Sequence, residues 1–96
     1  DTVSYEGLKL DTLRKTCTAD GEIIPLTKKE FEILELMLRN PNVVFSREEI
    51  LARIWHKEVI VLDRTIDVNI TRLRKKTGRY GKHIITRQGY GYVFET

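Results

Sequence analysis

The segment DRTIDVNITRLRKKTG, residues 63–78, carries Arg64, Arg72, Arg74, Lys75 and Lys76. Guanidinium and ammonium groups at this density make charge-assisted hydrogen bonds to phosphates, carboxylates or base edges. Their spacing decides where they point. At about 100° per residue, Ile66, Ile70, Leu73 and Thr77 fall within one narrow arc. Arg64, Val68, Thr71, Arg72 and Lys75 fall opposite, with Arg74 and Lys76 at the flanks. A helix of this kind docks on a core by one side and offers donors from the other. A solvated surface is the commonest reason for a basic face, so position in the fold has to choose between water and a polyanion.

Charge is unevenly spread. Residues 64–96 hold eight bases against two acids, a net +6, while residues 1–63 hold nine against twelve, a net −3. No other residue set competes for a chemical role. His56 and His83 lack Cys or carboxylate neighbours at metal-ligand spacing, so no metal and no cofactor is expected. Cys17 has no second thiol or activating base and reads as a small apolar packer. Ser46 reads as a helix cap, with no histidine placed to activate it. No phosphate-binding glycine loop or carboxylate pair is present, and an enzyme is not expected.

The elements that position the basic face follow from periodicity. Ninety-six residues fit one domain, and 41% hydrophobic with 32% charged content is that of a globular chain. No apolar run reaches membrane-spanning length, no signal peptide is visible, and one cysteine suits a reducing cytosol, so a cytoplasmic location is expected. Up to Pro25, short apolar stretches alternate with turn residues, including Asp20-Gly21. They predict an antiparallel sheet of about four short strands. Thr27 with Glu30 is a capping box for helix one, Thr27 to Asn40, with an apolar stripe of Phe31, Ile33, Leu34, Met37 and Leu38. After an extended piece, Val43 to Phe45, Ser46 with Glu49 repeats the device for helix two, which buries Ile50, Leu51, Ile54 and Trp55. Residues 57–63 read as a loop. Helix three spans residues 64–77, with Asp63 expected to cap it, Asp67 to pair with Arg64, and Gly78 to stop it. His83 to Arg87 and Tyr92 to Glu95 flank Gln88-Gly89-Tyr90-Gly91 as a hairpin. Sheet, helices and terminal hairpin in this order describe an α+β winged helix-turn-helix, in which helix three can enter a major groove and the hairpin forms the wing.

The motifs LTKKEFEILELMLRNPNVVFSREEIL, IW, DRTIDVNITRLRKK and IITRQGYGYVF together resemble the C-terminal effector domain of OmpR/PhoB-type response regulators, over nearly the whole chain. The resemblance implies a bacterial transcription regulator of a two-component system that binds promoter DNA sequence-specifically under phosphorylation control. It also implies a receiver domain upstream of these 96 residues, so that the chain is a fragment. Arg72, with Thr71, Val68 and Asn69, would face base edges. Arg64, Thr65, Arg74, Lys75 and Lys76 would meet phosphates. Arg47 and Trp55 match positions that touch the backbone across the groove, and Thr86 and Tyr92 match wing positions. Thr71 stands where members often carry Arg, and Asn69 where His is common. The wing reads Thr86-Arg87-Gln88-Gly89 where Thr-Val-Arg-Gly is common. That shift by one turns Arg87 to the opposite strand face and puts Gln88 at the place of the minor-groove arginine. The apolar loop matches the segment that meets RNA polymerase. Val59 and Ile60 are the expected contact, while Val61 and Leu62 are expected to pack under helix three. The domain alone is expected to be a monomer. A second copy would join it on tandem DNA repeats, with no membrane involved. A protein partner with an acidic face, or structured RNA, remains an alternative reading of the basic surface. RNA is disfavoured because Tyr80, Tyr90 and Tyr92 lie off the basic helix face.

Overall fold

A computed structural model describes residues 1–56 and 61–96. Four strands come first: β1 (Thr2–Tyr5), β2 (Leu8–Asp11), β3 (Thr16–Ala19) and β4 (Glu22–Ile24), in the sheet order β1-β2-β3-β4, all antiparallel. The Asp20-Gly21 turn has φ of 51° and 87°, the left-handed pair that a two-residue hairpin of this hand needs. Alternation puts Leu8, Leu10 and Cys17 into the core and leaves Lys9 and Ile23 on the outer face. Burial pushes the Cys17 thiol up to about 11, which leaves it protonated and inert at neutral pH.

Both capping boxes form. Thr27 Oγ1 accepts from Glu30 N, Glu30 Oε1 accepts from Thr27 N, and α1 runs Lys28–Arg39. Ser46 and Glu49 do the same for α2, Arg47–Ile54. The third helix, α3 (Asp63–Lys76), starts differently from expectation. Leu62 is its N-cap and no side chain caps it. Asp63 is the first helical residue, where its charge still suits the positive end of the helix. Gly78, at φ 58°, ends the helical run, and a short 3-10 helix, Gly78–His83, which periodicity did not reveal, leads into the hairpin β5 (Ile84–Arg87) and β6 (Gly91–Phe94).

The core lies between the sheet, the three helices and the hairpin. Phe31, Ile33, Leu34 and Met37 of α1, Ile50 of α2, Ile66, Ile70 and Leu73 of α3, and Phe94 of β6 are all buried in one cluster. Each such side chain contributes roughly 1.5–3 kcal/mol of burial. Val61 packs against this cluster, as expected, whereas Leu62 is 55% exposed and does not pack under α3. Val59 and Ile60 lie outside the described residues.

The extended piece before α2 joins the hairpin through main-chain bonds. Phe45 N donates to Tyr92 O at 2.8 Å, Tyr92 N to Phe45 O at 2.9 Å, and Asn42 N to Phe94 O at 2.8 Å. This close approach needs glycine beside it. A Cβ on Gly91 would sit 2.0 Å from Phe45 O, and Gly91 has φ 142°.

A second junction ties the sheet to the 3-10 helix that follows α3. The Tyr80 hydroxyl, on a ring only 1% exposed, donates to Asp20 Oδ1 at 2.6 Å. It accepts from Gly7 N at 2.9 Å and Arg79 Nη2 at 2.6 Å. Arg79 Nε and Nη2 also hold the two Asp20 oxygens at 2.9 and 3.0 Å. The Arg79 and Tyr80 hydrogen bonds hold the Asp20 carboxyl down at about 2. A depressed carboxyl stabilises the fold above its ordinary value of 3.8 and stops doing so as pH falls through the folded value. Melting temperature is therefore expected to drop between about pH 4 and about pH 2. Asp20→Asn is expected to lower it at neutral pH and to flatten that acid drop; an unchanged acid limb would refute the assignment.

Candidate nucleic-acid interface

The buried stripe of α3 fixes what its other side must be. Ile66, Ile70, Leu73 and Thr77 are at most 1% exposed, so the opposite arc faces outward by geometry. Arg64, Val68, Thr71, Arg72 and Lys75 are all exposed, and Val68, at 43%, is an apolar side chain among cations. Arg64, Asp67, Val68, Thr71 and Arg72 line a shallow depression on this face. Thr71 Oγ1 donates to Asp67 O at 2.9 Å, so its proton is committed to the helix. Its methyl group and its two acceptor lone pairs are what it has left to offer.

Several residues expected at the interface are buried or engaged with the protein's own groups. Asn69 is 8% exposed rather than on the open face, and its amide donates to Thr65 O at 2.8 Å. Its angle on the helix lies at the rim of the core arc, where a short amide reaches its own backbone. Lys76 turns inward, and its Nζ lies 2.7 Å from Oε1 of the fully buried Glu30. Burial pushes the Glu30 carboxyl up, and hydrogen bonds from Lys76 and Thr27 more than offset this, leaving it below the usual range. Arg74 also points away from the open face. Its Nε donates to Ile84 O at 2.7 Å, its Nη2 to Thr86 Oγ1 at 2.8 Å, and its guanidinium lies 5.8 Å from the Tyr92 ring centre. Tyr92 is 5% exposed, and Trp55 is 7% exposed with Lys29 Nζ 5.1 Å from its ring centre. Thr65 is half-buried.

Asp67, the acid inside α3, does not pair with Arg64. Asp67 instead meets Arg47 at the start of α2, with Arg47 Nε to Oδ1 at 2.9 Å and Nη2 to Oδ2 at 3.1 Å. The Tyr92 hydroxyl donates to Oδ1 as well. The Arg47 and Tyr92 hydrogen bonds lower the Asp67 carboxyl, and Asp67 in turn raises Arg47. Three or four residues of helix spacing favoured Arg64. Arg47, twenty positions back in sequence, wins because its planar fork meets both carboxylate oxygens.

At the wing, Arg87 pairs with Glu95, an exposed ion pair, and Gln88, Gly89 and Tyr90 form the tip. Gly89 takes φ 85° in the turn closed by Tyr90 N to Arg87 O, and Tyr90 is 77% exposed. Wing and α2 enclose a polar cleft whose rim includes Ser46, Arg47, Thr86, Gln88 and Tyr90. His83 is half-buried, its Nδ1 2.7 Å from Glu95 O and its ring stacked on Phe94. The described residues contain no cluster of His, Cys, Asp or Glu able to hold a metal. Nor do they contain a helix long and apolar enough to cross a membrane.

Among the described residues, then, Arg64, Arg72, Lys75 and Lys82 are the cations of the last third that carry neither an ion pair nor a side-chain hydrogen bond, and three of them lie on the open arc of α3. No separation by residue type alone could have sorted them from Arg74 and Lys76. The signal was available only in part, as the flank positions of those two residues.

Comparison with known proteins agrees with this geometry. Residues 21–94 match the family model described as transcriptional regulatory protein, C terminal. The chain is 37% identical over 99 aligned positions to the transcriptional regulatory protein SrrA of Staphylococcus aureus, covering 99% of this chain and 41% of SrrA. It thus spans about two fifths of the length of the curated relatives it matches. Among solved structures it resembles the response regulator DrrB, a Thermotoga maritima OmpR/PhoB homolog, at 35% identity and a TM-score of 0.88, over 99% of this chain and 44% of DrrB. It also resembles the Klebsiella pneumoniae RstA DNA-binding domain, in complex with RstA box, at 26% identity and 0.86, over 99% and 97%. The AdeR DNA binding domain, in complex with an intercistronic region, gives 27% and 0.85, over 97% and 98%.

The sorting of cations has a direct consequence for adjacent lysines. Lys75→Met is expected to reduce the slope of log affinity for duplex DNA against log salt by about 1 and to leave melting almost unchanged. Lys76→Met is expected to do the reverse, lowering stability by about 1–3 kcal/mol through the stranded Glu30 charge while sparing the slope. Equal slope changes in the two variants would refute the separation.

Proposed function

Because this chain belongs to the family of C-terminal, winged-helix domains of OmpR/PhoB-type transcriptional regulatory proteins, we propose that it binds promoter DNA sequence-specifically, with α3 in the major groove. One observation carries this: the open arc of α3 presents Arg64, Arg72 and Lys75, unpaired among the described residues, around the apolar Val68, while the neighbouring cations Arg74 and Lys76 are bound to the protein's own groups. The major groove admits one α-helix and displays acceptors and thymine methyls there. Arg72 reads a base edge through its two-pronged guanidinium, as guanine O6 and N7 allow. Val68 and the Thr71 methyl supply apolar contact. Arg64 and Lys75, with Thr65 beside them, neutralise phosphates and release counterions. Arg47, at the start of α2, approaches the backbone across the groove, and the wing tip at Gln88 and Tyr90, with Arg87 behind it, lies along the backbone or the minor groove. Relatives solved on DNA, RstA and AdeR, support this reading.

In the same reading the chain is the output part of a phosphorylation-controlled regulator. A receiver domain precedes it, a second copy binds beside it on DNA, and RNA polymerase is a partner. The longer relatives support this, since the chain covers 44% of the response regulator DrrB. Val59 and Ile60 belong to the polymerase contact in this scheme.

Selection of bound sequences from a random duplex pool, at two salt concentrations, tests the central claim. A motif of a few base pairs is expected. Arg72→Ala is expected to weaken binding to that motif by about 1–3 kcal/mol and to relax preference at one position. Full affinity with an unchanged motif would remove Arg72 as the reading residue. Absence of any motif would remove sequence-specific binding by this chain.

A further inference from the structure

A carboxylate sits on the rim of a face proposed to meet a polyanion. Asp67 lines the same depression as Arg64, Val68, Thr71 and Arg72. Its charge opposes phosphate, and it partly neutralises Arg47, a cation at the same surface. For non-specific attraction alone, a neutral side chain would serve better. The geometry supplies what the charge provides in return. Asp67 projects from α3. Arg47, which grips both its oxygens, opens α2. Tyr92, whose hydroxyl donates to Oδ1, belongs to β6 of the wing. Tyr92 is also the residue whose main chain bridges to Phe45, immediately before the Ser46 cap of α2, and whose ring lies beside the Arg74 guanidinium. One carboxylate therefore joins the three elements that a duplex would touch. It also holds the Arg47 fork in a single orientation, and its own backbone carbonyl holds the Thr71 hydroxyl.

We propose that Asp67 is a positioning residue for sequence reading: through Arg47 and Tyr92 it locks α2 and the wing to the recognition helix, at the expense of non-specific affinity, so that binding discriminates between sequences. This rests on the reading of the chain as a sequence-specific DNA binder. Pre-organised contacts favour the site that fits them all at once. Loosely held cations follow any phosphate backbone equally well. A negative charge that weakens every complex alike, while stiffening the one geometry that fits the correct site, raises the ratio between the two.

The test compares affinity for the selected duplex and for a scrambled duplex at one salt concentration, in wild type, Asp67→Asn and Tyr92→Phe, with melting temperature measured alongside. Asp67→Asn keeps the shape and one acceptor but loses the charge and the second anionic oxygen. Tyr92→Phe removes only the hydroxyl and leaves net charge unchanged. In both variants the specific-to-scrambled ratio is expected to fall about tenfold. Scrambled-duplex binding by Asp67→Asn is expected to be equal or tighter, and combining the two changes should cost little more than either alone. An ion pair that matters only for folding would lower the melting temperature and leave the ratio intact in the folded fraction, and that outcome overturns the proposal. If Asp67→Asn does not fold, the ratio in Tyr92→Phe decides. A wild-type chain that fails to discriminate the two duplexes overturns the underlying reading, whereas discrimination retained in the variants overturns only the role of Asp67.

Discussion

Everything in this domain is arranged around the burial of one stripe along α3, made of Ile66, Ile70, Leu73 and Thr77. The stripe meets α1 and α2 on the inside, and once it is buried, helical geometry leaves no freedom over which residues look outward. A Leu or Ile in this position contributes several times what an exposed ion pair does. Apolar packing therefore sets the orientation of α3, and the charged groups accommodate to it. The two capping boxes act in the same direction. They fix where α1 and α2 begin, and so where their apolar faces meet the third helix.

Charge is distributed by a second selection. The last third of the chain has a net +6, yet much of that charge is used internally. Lys76 compensates a buried glutamate, Arg79 clasps the Asp20 turn, Arg87 lies along Glu95, and Arg74 spends its donors on Ile84 O and Thr86. What remains exposed and unpaired among the described residues is Lys82 and a small group on the open arc of α3. The basic character of the segment and the location of its free cations are thus separate facts, and only the second bears on the proposed binding face.

The sequence made the architecture legible because its signals are local. A capping box spans three residues, the Asp20-Gly21 turn two, and the 3.6-residue period of α3 shows within a few turns. Those elements appear in the structure where the spacing predicts them. What stayed hidden depends on partners far away along the chain. Asp67 finds Arg47 rather than Arg64, Lys76 finds Glu30, and Tyr80 finds Gly7, separations that no helical wheel contains. Asn69 and Arg74 turn to the protein's own backbone for a related reason. Both lie at the border between arcs, where the nearest acceptor decides and angle alone does not. Leu62 as the helix cap, and the 3-10 turn after Gly78, carry no composition signal at all.

The main-chain bridge between Phe45 and Tyr92, with Gly91 pressed against Phe45 O, makes the stem of the hairpin part of the same small sheet as the lead-in to α2. The stem cannot swing without breaking backbone bonds, whereas among the described residues the tip at Gln88, Gly89 and Tyr90 is hydrogen-bonded only to the stem, through Tyr90 N and Arg87 O. Frame and fingertip are therefore separable modules. Substitutions at Gln88 or Tyr90 leave the bridged span between the wing stem and the start of α2 in place. The wing thus behaves as an interchangeable bit in a fixed chuck.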